Sequence, residues 1–355
     1  MRLGFLPAPV LAVCGWSGAG KTTLLEATIS RLVASGLRVG VVKHDAHGIE
    51  VDRPGKDSDR LFRAGASVVL RSPSECFARL PASDGTSLER ALRGLAATHD
   101  LVLVEGHKGT PLPKVWLEDE GGKPATPPLA HLLATLPGGD GRLAAFLALA
   151  EKVIEKHFAA RPLLGGVLVG GASTRMGRPK HLARVGGRSL LQRVADALSP
   201  HGQGVVLLGE APRTASHPRV PDAPGVAGPL AGILAALRSH PAAAWLIAAC
   251  DMPALTPQAL AWVLSHRRPG VWAVIPQDAR GHLEPLAALW EPQAAPLLED
   301  LLLRGEVAPR LVAPHPKILT PNLPPDLASA FANVNTPDEL ATARRRLAKV
   351  PRRRR

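Results

Sequence analysis

The amino-acid sequence predicts two consecutive α/β domains, each a doubly wound and largely parallel sheet. Three observations carry this. Two separate series of apolar, strand-like runs alternate with amphipathic segments; each series opens with an apolar run that leads straight into a Gly-rich turn; and 355 residues suit two domains of ordinary size better than one.

In the first series, residues 9–14 (PVLAVC), 38–43 (RVGVVK), 67–70 (SVVL) and 100–104 (DLVLV) read as buried strands, and residues 21–35 as a helix opening from the glycine turn. Residues 117–141, rich in Gly and Pro, read as a loop with one edge strand. A helical pattern over 141–158 stops before Arg161-Pro162. In the second series, 165–170 (GGVLVG), 204–208 (GVVLL), 244–249 (AWLIAA) and 272–276 (WAVIP) read as strands, with helices near 187–199, 228–239 and 256–267. The border is expected near 157–163, giving domains 1–160 and 161–348 and a basic tail, 349–355. The two Gly-rich turns differ in chemistry, so the halves are not a repeat.

Hydrophobic residues make up 46% and charged residues 21%, enough for a substantial core in each half. Tyr is absent and Phe numbers only 6, which argues against aromatic stacking on nucleic acid. The net charge of +13 is concentrated: Arg344, Arg345, Arg346, Lys349 and Arg352 to Arg355 supply eight positive charges, read as a solvated end. Three scattered cysteines, Cys14, Cys76 and Cys250, do not make a disulfide framework or a thiolate zinc site, and they fit a reducing cytoplasm. No apolar run approaches the ~20 residues a membrane span requires.

Residues 15–23 read GWSGAGKTT, matching G-x-x-x-x-G-K-[ST] between a strand and a helix. Gly15, Gly18 and Gly20 let backbone N–H groups converge on phosphate oxygens, Lys21 reaches the β- and γ-phosphates, and Thr22, followed by Thr23, is placed to ligate Mg²⁺. This is the phosphate loop of a P-loop NTPase-like domain. Downstream, VKHDAHGIEVDRPGKDSDRLFRAGA (42–66), LVEGHK (103–108) and PKVW (113–116) resemble the molybdopterin-guanine dinucleotide biosynthesis adapter (MobB) family over most of residues 9–118. The resemblance implies a GTP-binding domain with weak hydrolysis that assists a guanylyltransferase, with molybdenum-insertion proteins and apo-molybdoenzymes as partners. It puts Asp52 and Asp57 in a switch-like segment and makes Glu105 a carboxylate for Mg²⁺ or its water. A solvated loop face is the alternative for Asp52, Asp57 and Asp59. His107 stands where the family pattern leads one to expect an aromatic residue. His44, His47 and His107 could be read as a metal cluster, but ordinary polar histidines are the commoner case.

Residues 168–180 read LVGGASTRMGRPK. Leu168, Gly170, Gly171, Arg175, Gly177 and Lys180 resemble the signature of the molybdenum cofactor guanylyltransferase (MobA) family of Rossmann-like nucleotidyltransferases, and the likeness runs over nearly all of 163–348. Glycine amides can approach a triphosphate closely, and Arg175 and Lys180 supply charge for departing pyrophosphate. Asp222, ahead of Gly228-Pro229-Leu230, is implied to contact guanosine. Asp251 in Cys250-Asp251-Met252-Pro253 is implied to hold Mg²⁺, the alternative being a cap for the helix near Thr256. Glu284 in LEPL and Asn333 and Asn335 in NVNTP match acceptor-side segments, the alternative for Asn335 being a turn residue before Pro337. Pro179 departs from the Asp often found there. The resemblance implies GMP transfer from GTP to molybdopterin without a protein nucleophile; the alternatives are a molybdopterin cytidylyltransferase, or a GTP-switched cofactor chaperone without transfer activity.

Overall fold

The computed structural model describes residues 4–43, 52–80, 87–119, 121–122, 128–170, 180–210 and 216–348, with only the backbone of Lys180 and Ala348. The chain divides into two compact units, Met1–Ile154 and Glu155–Arg355.

The first unit runs β1 (Val10–Gly15), α1 (Lys21–Ala34), β2 (Val39–Lys43), α2 (Asp57–Arg63), β3 (Val68–Arg71), β4 (Cys76–Arg79), α3 (Leu88–Ala96), β5 (Leu101–Glu105), β6 (Lys114–Leu117), β7 (Leu132–Leu136) and α4 (Arg142–Ala160), whose last residues belong to the second unit. Its sheet has the order β2-β5-β1-β6-β7 and every pairing is parallel. Strand β1 is buried along its whole length because helices cover both faces of a parallel sheet, and its sequence is accordingly apolar throughout. Edge strand β7 falls within the segment expected to hold one.

One expectation needs correction, and one strand lies outside the runs read from the sequence. The apolar run at 67–70 is not a buried strand of the main sheet. Val68–Arg71 pairs antiparallel with Cys76–Arg79 in a separate ribbon, and Val69, Leu70 and Arg71 are exposed. A short apolar run does not specify by itself which sheet it joins. The additional strand, β6, opens on a lysine: Lys114 is fully buried, its ammonium donating to Thr110 O at 2.6 Å and Ala130 O at 2.9 Å. Desolvation holds the Lys114 pKa below the usual lysine value.

The second unit comprises β8 (Leu163–Leu168), β9 (Arg184–Val185), β10 (Arg188–Ser189), α5 (Leu190–Leu198), β11 (Val205–Leu208), β12 (Arg219–Val220), α6 (Pro229–Ser239), β13 (Ala244–Ala249), α7 (Pro257–Ser265), β14 (Ala273–Val274), β15 (Ala287–Trp290), α8 (Ala294–Leu303), β16 (Ile318–Leu319) and α9 (Pro337–Ala348). Its sheet order is β12-β11-β8-β13-β15-β14-β16, parallel except that β15 runs against both neighbours. From β8 the chain moves outward to β11 and β12, then returns to β13 on the other side. The crevice beyond the carboxyl ends of β8 and β13 is therefore a topological switch point, where α/β sheets bind ligands. Helix α5 opens with a capping box between Ser189 and Gln192, and six of its nine residues are buried.

Candidate active site and nucleotide-binding sites

In the first unit, β1 delivers Gly15 to the carboxyl end of the sheet, where a Cβ would sit 2.9 Å from the backbone oxygen of Leu117. Gly20 caps α1 in a left-handed conformation, φ 75°, and leaves the first-turn amides of the helix facing the loop. Lys21 folds back, donating to Trp16 O at 2.8 Å and Gly15 O at 3.3 Å. Thr22 and Glu105 meet at the carboxyl end of β5: the threonine hydroxyl lies 3.3 Å from both carboxylate oxygens. Thr23 follows on the exposed face of α1. Arg142 braces the loop from behind, donating to Ala19 O at 2.8 Å and Glu118 O at 2.6 Å.

The switch-like segment is organised by Asp59, which carries no weight in the motif. Arg79 pairs with Asp52 at 3.1 Å and with Asp59 at 3.0 Å, and Ser58 donates to Asp52 at 2.9 Å. The backbone N–H of Gly55, then Arg79, hold the Asp59 carboxyl below its usual pKa. Asp57 stands in solvent, with Arg60 3.8 Å away. His44 and His47 lie outside the described residues. Among the described residues, no group of three or more His, Cys, Asp and Glu side chains is placed to hold a metal ion.

In the second unit, a cavity of about 280 Å³ opens at the switch point. Leu168 and Gly170 from the end of β8, Asp222 after β12, Gly232 in α6 and Asp251 after β13 all line it. Strands β12 and β13 stand three spacings apart, roughly 14 Å, a span suited to a nucleotide lying across the strand ends. Pairing continues past the strands, with Val169 N donating to Leu208 O at 2.8 Å and Cys250 N to Leu168 O at 3.1 Å. That fixes the two turns that carry the site.

Asp222 rests against glycines. A Cβ on Gly209 would lie 3.2 Å from both its carboxylate oxygens, and one on Gly232 would lie 3.5 Å from Oδ1. Desolvation, then the negative charge of Glu210, raise the Asp222 pKa. Glu210 belongs to no motif, and only its place after β11 brings it here. Asp251 emerges from β13 with Oδ1 shielded from solvent. The capping alternative is excluded, because Thr256 itself caps α7, accepting from Ala259 N at 3.2 Å. Glu284 feels Asp251: burial first, then the charges of Asp278 and Asp251, push its carboxyl up to about 7, with His282 pulling the other way. The segment carrying Asn333 and Asn335 joins the same centre, since Val334 N donates to Asp251 O at 2.9 Å. Asn335 lies in the turn before α9, its N–H donating to Glu339 at 2.6 Å. Gly171 and Arg175 lie outside the described residues, and Lys180 opens the short 3-10 turn Lys180–Leu182.

The fold and these sites define a class: a nucleotidyltransferase domain preceded by a P-loop domain. Comparisons with known proteins agree. Residues 165–318 match the MobA-like NTP transferase domain, and residues 10–135 match molybdopterin guanine dinucleotide synthesis protein B. The molybdenum cofactor guanylyltransferase of Rhizobium meliloti is 38% identical over 196 residues, covering 50% of this chain and 88% of that protein. The molybdopterin-guanine dinucleotide biosynthesis adapter protein of Haemophilus influenzae is 44% identical over 111 residues, 31% of this chain; the chain spans 62% of that relative's length. A crystal structure of molybdopterin-guanine dinucleotide biosynthesis protein A from Archaeoglobus fulgidus aligns with 53% of this chain and 100% of its own, with 27% identity and a TM-score of 0.45. The chain belongs to the molybdenum cofactor guanylyltransferase family through its second unit, fused to a MobB-family adapter domain as its first.

Proposed function

We propose that the second unit transfers GMP from GTP to molybdenum-molybdopterin, releasing pyrophosphate and forming molybdopterin guanine dinucleotide, while the first unit binds GTP as an adapter. One observation carries this reading: Leu168 with Gly170, Asp222 and Asp251, from three separate stretches of sequence, line a single cavity at the switch point of a guanylyltransferase-family sheet. The guanylyltransferase names of the relatives favour guanine over the cytosine alternative.

In this mechanism an oxygen of the molybdopterin phosphate attacks the α-phosphorus of GTP in line. The new O–P bond forms as the bond to the β-phosphate oxygen breaks, and pyrophosphate leaves with that electron pair. Asp222 holds the guanosine part, Gly170 and Gly171 admit the triphosphate to their amides, and Arg175 and Lys180 stabilise charge on the phosphate groups. Glu284, Asn333 and Asn335 form the acceptor side. A shielded Asp251 carboxylate oxygen, with the Glu284 carboxyl in electrostatic range, fits Mg²⁺, which takes one or two carboxylates together with substrate phosphates. When bound there, Mg²⁺ supplies neutralisation of phosphate charge. Thr22 and Glu105 offer the same kind of oxygen donors in the first unit.

Molybdenum-insertion proteins and apo-molybdoenzymes are the partners this role calls for. Cys14, Cys76 and Cys250 are free thiols, in keeping with a reducing cytoplasm. Among the described residues no helix is long and apolar enough to cross a membrane.

The test is pyrophosphate release by the full chain with Mg²⁺, molybdenum-molybdopterin and each of the four ribonucleoside triphosphates in turn. GTP alone should support turnover. Equal or better turnover with CTP would favour the cytidylyltransferase reading, and none with any nucleotide the chaperone reading.

A further inference from the structure

Beside the phosphate loop of the first unit, Lys108, the last residue of the LVEGHK segment, is held on two indole rings. Strand β5 ends at Glu105, and the next two residues, Gly106 (φ 93°) and His107 (φ 57°), are both left-handed. A left-handed histidine is uncommon and is kept where the surrounding structure demands it. Here it belongs to a reversal that turns the chain back over the start of the phosphate loop. Gly106 N donates to Val13 O at 2.9 Å, and Cys14 Sγ donates to Gly106 O at 3.0 Å. These bonds tie the reversal to the last residues of β1.

The reversal places the ammonium of Lys108 4.0 Å from the ring centre of Trp16 and 5.1 Å from that of Trp116. Trp16 is the second residue of the phosphate-loop motif. Its ring is fixed edge-on to Trp116 at 5.7 Å, and its Nε1 is shut off from solvent. Its carbonyl is also the acceptor for Lys21 at 2.8 Å, so both lysines are held against one residue of the loop. The thiol of Cys14 senses this: desolvation raises its pKa, and the charges of Lys114, Lys108 and Lys21 act against that rise. Lys108 is exposed, and among the described residues its contacts are these two indoles, with no carboxylate paired to it. A cation on indole faces is weakly held, and a phosphate oxygen offers it a stronger, charge-assisted bond.

We propose that Lys108, held on Trp16 and Trp116 beside the phosphate loop, is a second triphosphate lysine of the first unit and pairs with the terminal phosphate of a bound nucleoside triphosphate. The proposal rests on the phosphate-loop reading of residues 15–23. In that geometry Lys21 serves the β- and γ-phosphates from the helix side and Lys108 serves the γ-phosphate from the β5 side, above Glu105. The adapter thereby senses whether its nucleotide is a triphosphate or a diphosphate.

Calorimetric titration of the full chain with GTP and with GDP, in the presence of Mg²⁺, tests this. The binding component abolished by Lys21→Ala belongs to the first unit and is the one followed. Lys108→Met keeps an apolar stem on the indoles; for that component it should weaken GTP by about tenfold or more and GDP by less than about threefold. Lys108→Arg should keep the GTP-to-GDP ratio within about threefold of the parent. Equal losses for the two nucleotides, or no loss, would reduce Lys108 to a packing residue and overturn the inference. If Lys21→Ala removes no component, the phosphate-loop reading itself fails and takes the inference with it. Near-ultraviolet dichroism of the indoles confirms that each variant is folded.

Discussion

The backbone N–H of Val334 donates to the carbonyl oxygen of Asp251 at 2.9 Å, pinning the segment that carries Asn333 and Asn335 to the turn that carries the proposed metal ligand. The bond is between main chains, so side-chain changes on either side leave it in place. Asn333 Oδ1 is buried nearby without a hydrogen-bond partner among the described residues, which suits a group that awaits the acceptor. Asn333→Ala should therefore raise KM for molybdopterin by about tenfold, the worth of one hydrogen bond, and leave KM for GTP within about twofold. Thermal stability should not fall, because no satisfied bond is lost. Steady-state kinetics with each substrate varied in turn decide the point; a selective rise in the GTP KM would place Asn333 on the wrong side.

Glu284 makes the free protein sensitive to pH. Its carboxyl is raised to about 7 from an ordinary value of 4.5. A raised acid favours folding at low pH, and that contribution is lost as pH rises through the folded value. Glu284→Gln removes the ionisation, so the melting temperature of the variant minus that of the parent should grow between about pH 5 and pH 8. Paired thermal melts across that window measure it. A difference that shrinks with pH would mean that the carboxylate is favourably paired.

The sequence made contiguous chemistry legible. The phosphate loop and the CDMP turn announce themselves because the residues of each pattern are neighbours in sequence at the end of one strand. What chain crossing assembles was not legible: Glu210 and Gly209 beside Asp222, Arg79 joining Asp52 to Asp59, Lys108 on two indoles. Strand β6 lies outside the strand-like runs of the sequence, and its first residue, Lys114, is buried because its ammonium donates to carbonyls. The ribbon of β3 and β4 was misread because SVVL has strand chemistry but no period that names its partner.

The second unit extends into the last turns of α4. Glu291, 1% exposed, is held between Arg161 and Arg267, and both guanidinium groups lie against the ring of Phe158. A fragment beginning at Glu155 keeps this arrangement, and one beginning at Pro162 loses Phe158 and Arg161 and leaves Glu291 with a single partner. The shorter fragment should be less stable by about 3 kcal/mol, as expected when one member of a buried ion pair is removed. Urea unfolding of the two fragments provides the comparison, and equal stabilities would show that Phe158 and Arg161 contribute nothing.

Lys21 tests the division of roles proposed for the two units. Its ammonium donates to the Trp16 and Gly15 carbonyls. Lys21→Ala should abolish GTP binding by the first unit and lower activation of an apo-molybdoenzyme, while pyrophosphate release from purified substrates continues. Both assays are run on one preparation. A parallel loss of pyrophosphate release, with the fold intact, would make the P-loop part of catalysis.

The central claim is that the cavity lined by Asp222 and Asp251 is where GMP is transferred, and Asp251 tests it most directly. Asp251→Ala removes a carboxylate at the cavity wall and leaves the Val334 bond to the main chain, so the melting temperature should hold. Single-turnover pyrophosphate release from GTP and molybdenum-molybdopterin, with Mg²⁺ as the only metal, should fall by about three orders of magnitude, the scale of several kcal/mol of lost charge stabilisation. Near-normal release by a folded Asp251→Ala protein would contradict the assignment of this site.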